Sequence, residues 1–172
     1  MTIRKSILSR SVITFLLFLF LFSCKSLKDT QEQSFTNFIG LGFTIALPTG
    51  FEYKEHQKLD KPIASYVFFS PKRADTFIRI DIYDAKYSRD LDKIVDENYT
   101  FFNNPSKTNE TAFDKIRTLY FDYNASGEVG GRVYFMLYQG QMYRIILNWF
   151  KEHEEYYLPL LKESIQSITF DL

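Results

Sequence analysis

Cys24 is the only cysteine in the 172-residue sequence, and it follows closely on a short apolar segment. Arg4, Lys5 and Arg10 precede this segment, which covers residues 12–22 and carries no charge. A helix needs about 20 apolar residues to cross a bilayer, whereas a secretory signal peptide has a core of roughly 7–15. The sequence therefore predicts an export signal that ends at a thiol to which a lipid can be attached.

The tetrapeptide Leu21-Phe22-Ser23-Cys24 resembles the lipobox of bacterial lipoproteins. In that motif the peptidase cuts directly before the cysteine, which here means between Ser23 and Cys24. Leu21 and Ser23 match the motif, whereas Phe22 is bulkier than the residue usually found at its position. The resemblance implies a diacylglycerol on the sulfur of Cys24 and usually a third acyl chain on the new amine. One chain binds a membrane only marginally, with a constant of about 10⁴ M⁻¹, whereas two or three hold a protein durably.

Lipidation of Cys24 would place the protein in the cell envelope, attached to a membrane through its N-terminal lipid. Lys25 follows the cysteine, where some lipoproteins have aspartate. By analogy with lipoprotein sorting in bacteria with two membranes, this favours the outer membrane, on its periplasmic or surface face. An unmodified thiol would be a liability in an oxidising compartment. The alternative is an ordinary signal peptide followed by an incidental cysteine.

Three segments are predicted: a signal peptide over residues 1–23, the lipidated cysteine with a flexible tether over 24–34, and a globular domain over 35–172. Removal of the signal leaves 149 residues, enough for one domain, with 18 basic and 21 acidic side chains. A mildly acidic domain without a basic cluster does not fit nucleic-acid binding, since neutralisation of phosphates dominates that affinity. Nor does it fit a polybasic membrane patch, so the lipid has to provide the anchor.

Alternating apolar residues predict most of the strands. Phe43, Ile45 and Leu47 alternate up to Pro48, and three isoleucines alternate with Arg79 and Asp81 in a strand that has one wet face. Further strands are predicted over residues 65–69, 113–123, 132–138 and 142–150, with a break at 130–131. Helical spacing predicts one helix after a Ser88 cap and another over roughly 154–167. The pattern indicates one α+β domain built on an antiparallel sheet.

The domain resembles the PsbP-like superfamily. The resemblance depends on residues 42–51 (GFTIALPTGF), 143–147 (YRIIL), 156–161 and 164–170 (SIQSITF). It implies an α-β-α sandwich, in which helices cover both faces of a twisted antiparallel sheet. The superfamily has no shared catalytic set of residues, so the resemblance implies a shape and a tendency to bind proteins, and no active site.

The residues that could bind a metal or act as a base are few. His56 and His153 stand in charged, surface-like settings without the spacing of a zinc site, and no metal or other cofactor is expected. Residues 152–155 indicate either a weak cation site or a solvent-exposed helix start whose acidic residues face the helix dipole. A calcium site would need four aspartates that lack the spacing and glycine of a calcium loop, namely Asp81, Asp84, Asp90 and Asp92. A hydrolase would need His56 or His153 as its base. Residues 127–131 lack the lysine of a phosphate loop and indicate a hairpin.

Aromatic residues are abundant, with 18 Phe, 12 Tyr and one Trp. Neighbouring aromatic residues on a strand point to opposite faces, so they predict either a core on each side of the sheet or an exposed aromatic binding surface. The residues concerned are Tyr66, Tyr83, Tyr123, Tyr134, Tyr138, Tyr143 and Trp149. The leading hypothesis is a non-enzymatic envelope lipoprotein that binds a protein partner, of unknown identity, or assists assembly of an envelope complex. The alternatives are a carrier of a small molecule or lipid in an aromatic pocket and, third, a hydrolase.

Overall fold

Ten β-strands and two α-helices succeed one another in residues 34–55, 62–85 and 90–171, the residues that the computed structural model describes. Ser23, Cys24, His56 and Ser88 lie outside these ranges. The helices are α1 (Leu91–Tyr99) and α2 (Glu154–Gln166), and a 3-10 turn, Lys151–His153, precedes α2. The strands are β1 (Phe35–Gly40), β2 (Phe43–Pro48), β3 (Glu52–Glu55), β4 (Ala64–Ser70), β5 (Arg73–Asp84), β6 (Asn109–Phe113), β7 (Ile116–Asn124), β8 (Val129–Tyr138), β9 (Gln141–Phe150) and β10 (Thr169–Phe170).

Seven of the strands form an antiparallel sheet in the order β3-β4-β5-β9-β8-β7-β6. Most neighbours are joined by hairpins, but β5 pairs with β9 across the intervening helix and strands. The register of that pair places Asp81 opposite Arg144, and the register of β4 with β5 places Ser65 opposite Asp81. Since side chains on a strand alternate between faces, Ile78, Ile80 and Ile82 lie on one face, and Asp81 lies on the other.

A smaller sheet with the order β1-β2-β10 packs, together with α2, on one face of the large sheet. Its inward residues Phe43, Ile45 and Leu47 join the isoleucines of β5 in the main core, as the alternation in the sequence predicts. Leu161 and Ile165 of α2 are fully buried in the same core. The first strand of the domain, β1, and the last, β10, both pair with β2.

The opposite face of the large sheet carries α1, which packs mainly against β7 and β8. Leu91, Ile94 and Val95 are its buried residues, and they contact a second apolar cluster that contains Phe121 and Phe135. The Asp90 carboxylate accepts hydrogen bonds from the backbone N–H groups of the first turn, so Asp90 is the N-cap of this helix. No helix in the described ranges is long and apolar enough to span a bilayer.

The predicted α-β-α sandwich with helices on both faces is wrong. Strands make up 55% of the described residues and helices 20%, and the strands form two sheets of three and seven strands. Seven strands spaced by about 4.8 Å span roughly 29 Å, whereas a helix of nine residues is only about 14 Å long and 10 Å wide. Helix α1 is therefore too small to form a layer, and the three-stranded sheet takes much of the other layer.

The predicted break at Gly130 and Gly131 is also wrong, because both glycines lie inside β8. The Tyr123 ring occupies the space above Gly131, where an added Cβ would lie 2.3 Å from the ring, and Trp149 crowds Gly130 in the same way. The glycines are present because two large rings cross the backbone there, and not because the strand ends.

Candidate functional site

The carboxylate of Asp81 lies within the large sheet, on the face that carries α1, and is completely buried. Its Oδ1 accepts hydrogen bonds from Ser65 Oγ at 2.6 Å and from Arg79 Nε at 2.8 Å. Its Oδ2 accepts two hydrogen bonds from Arg144, from Nη2 at 2.9 Å and from Nε at 3.3 Å. This differs from the wet strand face that the sequence predicts, because neighbouring strands supply partners that bury the charge.

Two guanidinium groups thus surround one carboxylate, which leaves a formal charge of +1 on this part of the sheet. The side chains of Arg79 and Arg144 keep 21% and 17% of their surface exposed. Arg144 also donates to the Tyr83 hydroxyl and lies 5.1 Å from the centre of that ring. Within the described part of the chain, Nη1 of Arg144 and both Nη atoms of Arg79 have no hydrogen-bond partner. These donors can still bind an acceptor.

A cleft of about 400 Å³ lies between the C-terminal end of α1 and the large sheet. Its described lining consists of Tyr83, Asn98, Phe101, Met142 and Arg144, so one cation and one amide stand among apolar and aromatic groups. Phe101, just beyond the end of α1, leaves 80% of its surface exposed. The volume lies within the usual range for small-ligand pockets, roughly 300–1,000 Å³.

Apolar side chains continue along the same face beyond the cleft. The strand registers place Val67 beside Arg79, and Phe69 opposite Phe77, on the face that α1 only partly covers. These three apolar residues and Ile146 are half-buried. We refer to Val67, Phe69, Phe77, Arg79, Arg144 and Ile146 as the open face.

The four aspartates considered for calcium are not gathered into one site. Asp81 is bound by arginines, Asp90 caps α1, and Asp92 forms an ion pair of 2.8 Å with Arg117, whose hydrogen bonds lower the pKa of Asp92. Within residues 34–55, 62–85 and 90–171, no three or more histidine, cysteine or acidic side chains form a group that could hold a metal, and this includes residues 152–155.

His153 does not form a catalytic triad with described residues. Its ring lies 5.7 Å from the Phe150 ring, centre to centre, and no described hydroxyl or carboxylate hydrogen-bonds to it. His56, the other predicted base, is not among the described residues.

Most of the aromatic residues that the sequence analysis singles out belong to the core. Tyr134, Tyr143 and Trp149 are buried in the main core, with Tyr66 and Tyr138 packed against it, whereas Tyr83 and Tyr123 lie on the face of α1. Sequence reasoning missed Arg79 and Arg144 as site residues. The available signal was the presence of an arginine between buried isoleucine or tyrosine residues in each of two apolar strands.

Solved structures similar to this chain define its fold. The solution structure of cyanobacterial PsbP (CyanoP) from Synechocystis sp. PCC 6803 matches with a TM-score of 0.64 and 11% identity, over 87% of this chain and 99% of that chain. A crystal structure from Bacteroides thetaiotaomicron matches with a TM-score of 0.57 and 15% identity, over 81% of this chain and about half (49%) of that chain. No model of a known protein family and no curated protein matches the sequence. The chain therefore has a PsbP-like fold, which confirms that part of the resemblance.

Proposed function

We propose that this protein is a lipid-anchored lipoprotein of the cell envelope that binds a protein partner through its open face. The observation that carries the proposal is the composition of that face. Phe69 and Phe77 remain half-buried on the same face of the sheet as the two arginines that hold Asp81. Aromatic residues and arginine are the residue types enriched at the centres of protein interfaces. A non-enzymatic role in binding or in assembly of an envelope complex follows from this proposal.

The proposed anchor is Cys24, cut from the signal after Ser23. The tether over residues 24–34 has eleven residues and so reaches at most about 40 Å, which limits partners to the neighbourhood of the membrane. The outer membrane remains the favoured location, by the analogy drawn from Lys25.

A second candidate function is a carrier of a small molecule or lipid. The cleft of about 400 Å³ favours it, because the volume suits a small ligand. Its lining includes the Arg144 guanidinium, so a wholly apolar ligand fits this cleft less well than a ligand with an acceptor group.

Replacement of Cys24 with alanine is expected to release the protein from membranes, because no acyl chain can then be attached. After a high-salt wash, most of the wild-type protein should sediment with the envelope, and most of the Cys24→Ala variant should not. The measurement is the sedimented fraction, together with the mass of the N-terminal peptide. Ser26→Ala, in the same tether, is the control and should sediment like wild type. A Cys24→Ala variant that still sediments would contradict the anchor.

Partner binding at the open face is tested by a photo-crosslinking phenylalanine analogue at position 69 in intact cells. We expect a discrete protein adduct from this position. The control is the same analogue at Tyr156 of α2, which is 57% exposed and belongs to the helix on the other face of the large sheet. Identical adducts from both positions, or none from position 69, would count against the proposed function.

A further inference from the structure

We infer that the cleft beside Arg144 binds a carboxylate of the protein partner, on a segment whose neighbouring apolar residue packs against Phe101. This inference rests on the proposed function and specifies the chemistry of the partner at the open face.

The hydrogen-bond capacity of Asp81 is already used. A carboxylate offers about four acceptor positions, and Asp81 accepts four hydrogen bonds, from Ser65, Arg79 and twice from Arg144. A ligand therefore gains nothing from Asp81 as an acceptor. The groups that remain are donors, Nη1 of Arg144 and the Nη atoms of Arg79, so the ligand that fits has to supply acceptor oxygens.

The charge of the site also favours an anion. Arg144 lines the cleft, and none of the described lining residues is acidic. Because its side chain is only 17% exposed, this guanidinium is partly desolvated, and hydrogen bonds between ionised groups are about twice as strong as those between neutral groups. The C-terminal end of α1 carries a partial negative charge that acts in the opposite direction. The backbone N–H groups of Phe101 and Phe102 already donate to the last carbonyls, of Asn98 and Tyr99, which reduces that effect.

The aromatic residues indicate a carboxylate carried on a polypeptide. Phe101 stands at the cleft and is 80% exposed, and the half-buried Phe69 and Phe77 extend the apolar surface beyond the cleft. A free small carboxylate would leave all three rings uncovered. A partner segment with an acidic side chain or a C-terminal carboxylate next to an apolar residue would cover them while it binds Arg144.

Met142 offers a test that leaves the Asp81 network intact, since it lines the cleft opposite Tyr83 and takes no part in the hydrogen bonds of Asp81. Met142→Glu would place a competing carboxylate beside Arg144, whereas Met142→Gln has nearly the same shape without the charge. In the full-length protein with the photo-crosslinking analogue at position 101, we expect Met142→Glu to lower the yield of the protein adduct about tenfold or more. Met142→Gln should stay within about twofold of wild type.

A second readout does not depend on the folding of these variants. Mass spectrometry of the adduct formed at position 101 should find the crosslinked partner residue within about three positions of an aspartate, a glutamate or the C-terminus of the partner. Equal yields from the Met142→Glu and Met142→Gln variants, a partner segment without a carboxylate, or an adduct with phospholipid would overturn the inference.

The two proposals fail in different ways. Adducts at position 69 without adducts at position 101 would leave the proposed function standing and refute the carboxylate cleft. An absence of protein adducts at both positions would refute both.

Discussion

Replacement of Asp81 with asparagine is expected to lower the free energy of unfolding by about 3–5 kcal/mol, the usual cost of breaking a buried ion pair from one side. Asp81 is fully buried, and its charge is what holds Arg79 and Arg144 together within the sheet. Without it, two guanidinium groups remain close together with little access to water. The measurement is urea unfolding of the full-length protein, followed by the fluorescence of Trp149, the only tryptophan, which is 5% exposed in the core.

Asp75→Asn is the matched control for this prediction. Asp75 also pairs with an arginine, Arg73, at 3.1 Å, but both side chains are more than a third exposed, at 37% and 35%. Exposed ion pairs contribute about 0–1 kcal/mol, because water and salt screen them. An equal loss of unfolding free energy in Asp81→Asn and Asp75→Asn would contradict the prediction. It would mean that the buried carboxylate is not needed to hold Arg79 and Arg144 within the sheet.

Replacement of Phe121 with alanine should also be strongly destabilising, by about 3–5 kcal/mol, because it leaves a large cavity in the second apolar cluster. Phe121 is fully buried on β7. Its ring centre lies 4.9 Å from that of Tyr99, 5.3 Å from that of Phe102 and 6.1 Å from that of Phe135, so this one side chain joins α1 to the sheet. Besides the loss in urea unfolding, the amide hydrogens of α1 should exchange faster in the variant.

Phe101→Ala provides the control, since it is the same substitution at a position that is 80% exposed. Its free energy of unfolding should stay within about 0.5 kcal/mol of wild type, as for most surface positions. The same measurement shows whether position 101 tolerates the photo-crosslinking analogue. A loss as large as that of Phe121→Ala would mean that Phe101 is part of the core, which would contradict its proposed role in binding.

Local patterns in the sequence were enough to predict the strands whose residues alternate strictly. The alternation of Phe43, Ile45 and Leu47 predicts β2, and Pro48 correctly marks its end. The isoleucines of β5 likewise predict the face that meets the main core. These predictions are confirmed because burial on one face of a strand leaves a two-residue period in the sequence.

Other elements lack a local signal. The sequence predicts one strand over residues 113–123, but Asp114 and Lys115 form a two-residue turn between β6 and β7 with φ of 46° and 67°. Such turns usually contain glycine or asparagine, which this turn lacks. Strands β1 and β10 are equally hard to predict, because they exist through pairing with β2, and β10 has only two residues. Without these strands the sequence does not predict the three-stranded sheet, and the resemblance implies a helical layer in its place.

The candidate site could not be predicted for a similar reason. Asp81 and Arg144 are 63 residues apart, and only the register of β5 against β9 brings them together. Charged residues on alternate positions of a strand ordinarily indicate a solvated face, so the sequence predicts that Asp81 is exposed. Asp81 is buried because its hydrogen-bond partners come from three strands, β4, β5 and β9. Local sequence patterns do not show which strands lie next to each other.

The position of the small sheet has a practical consequence for labelling experiments. Ser34, the first described residue, hydrogen-bonds to Thr49 next to β2, and the backbone N–H of Asp171 donates to the Gly42 carbonyl at the other end of the same strand. Both connections therefore lie on the side of the large sheet opposite to the open face. A fluorescent reporter fused beyond Asp171 is therefore expected to leave the open face unobstructed, so the proposed complex can be imaged in living cells.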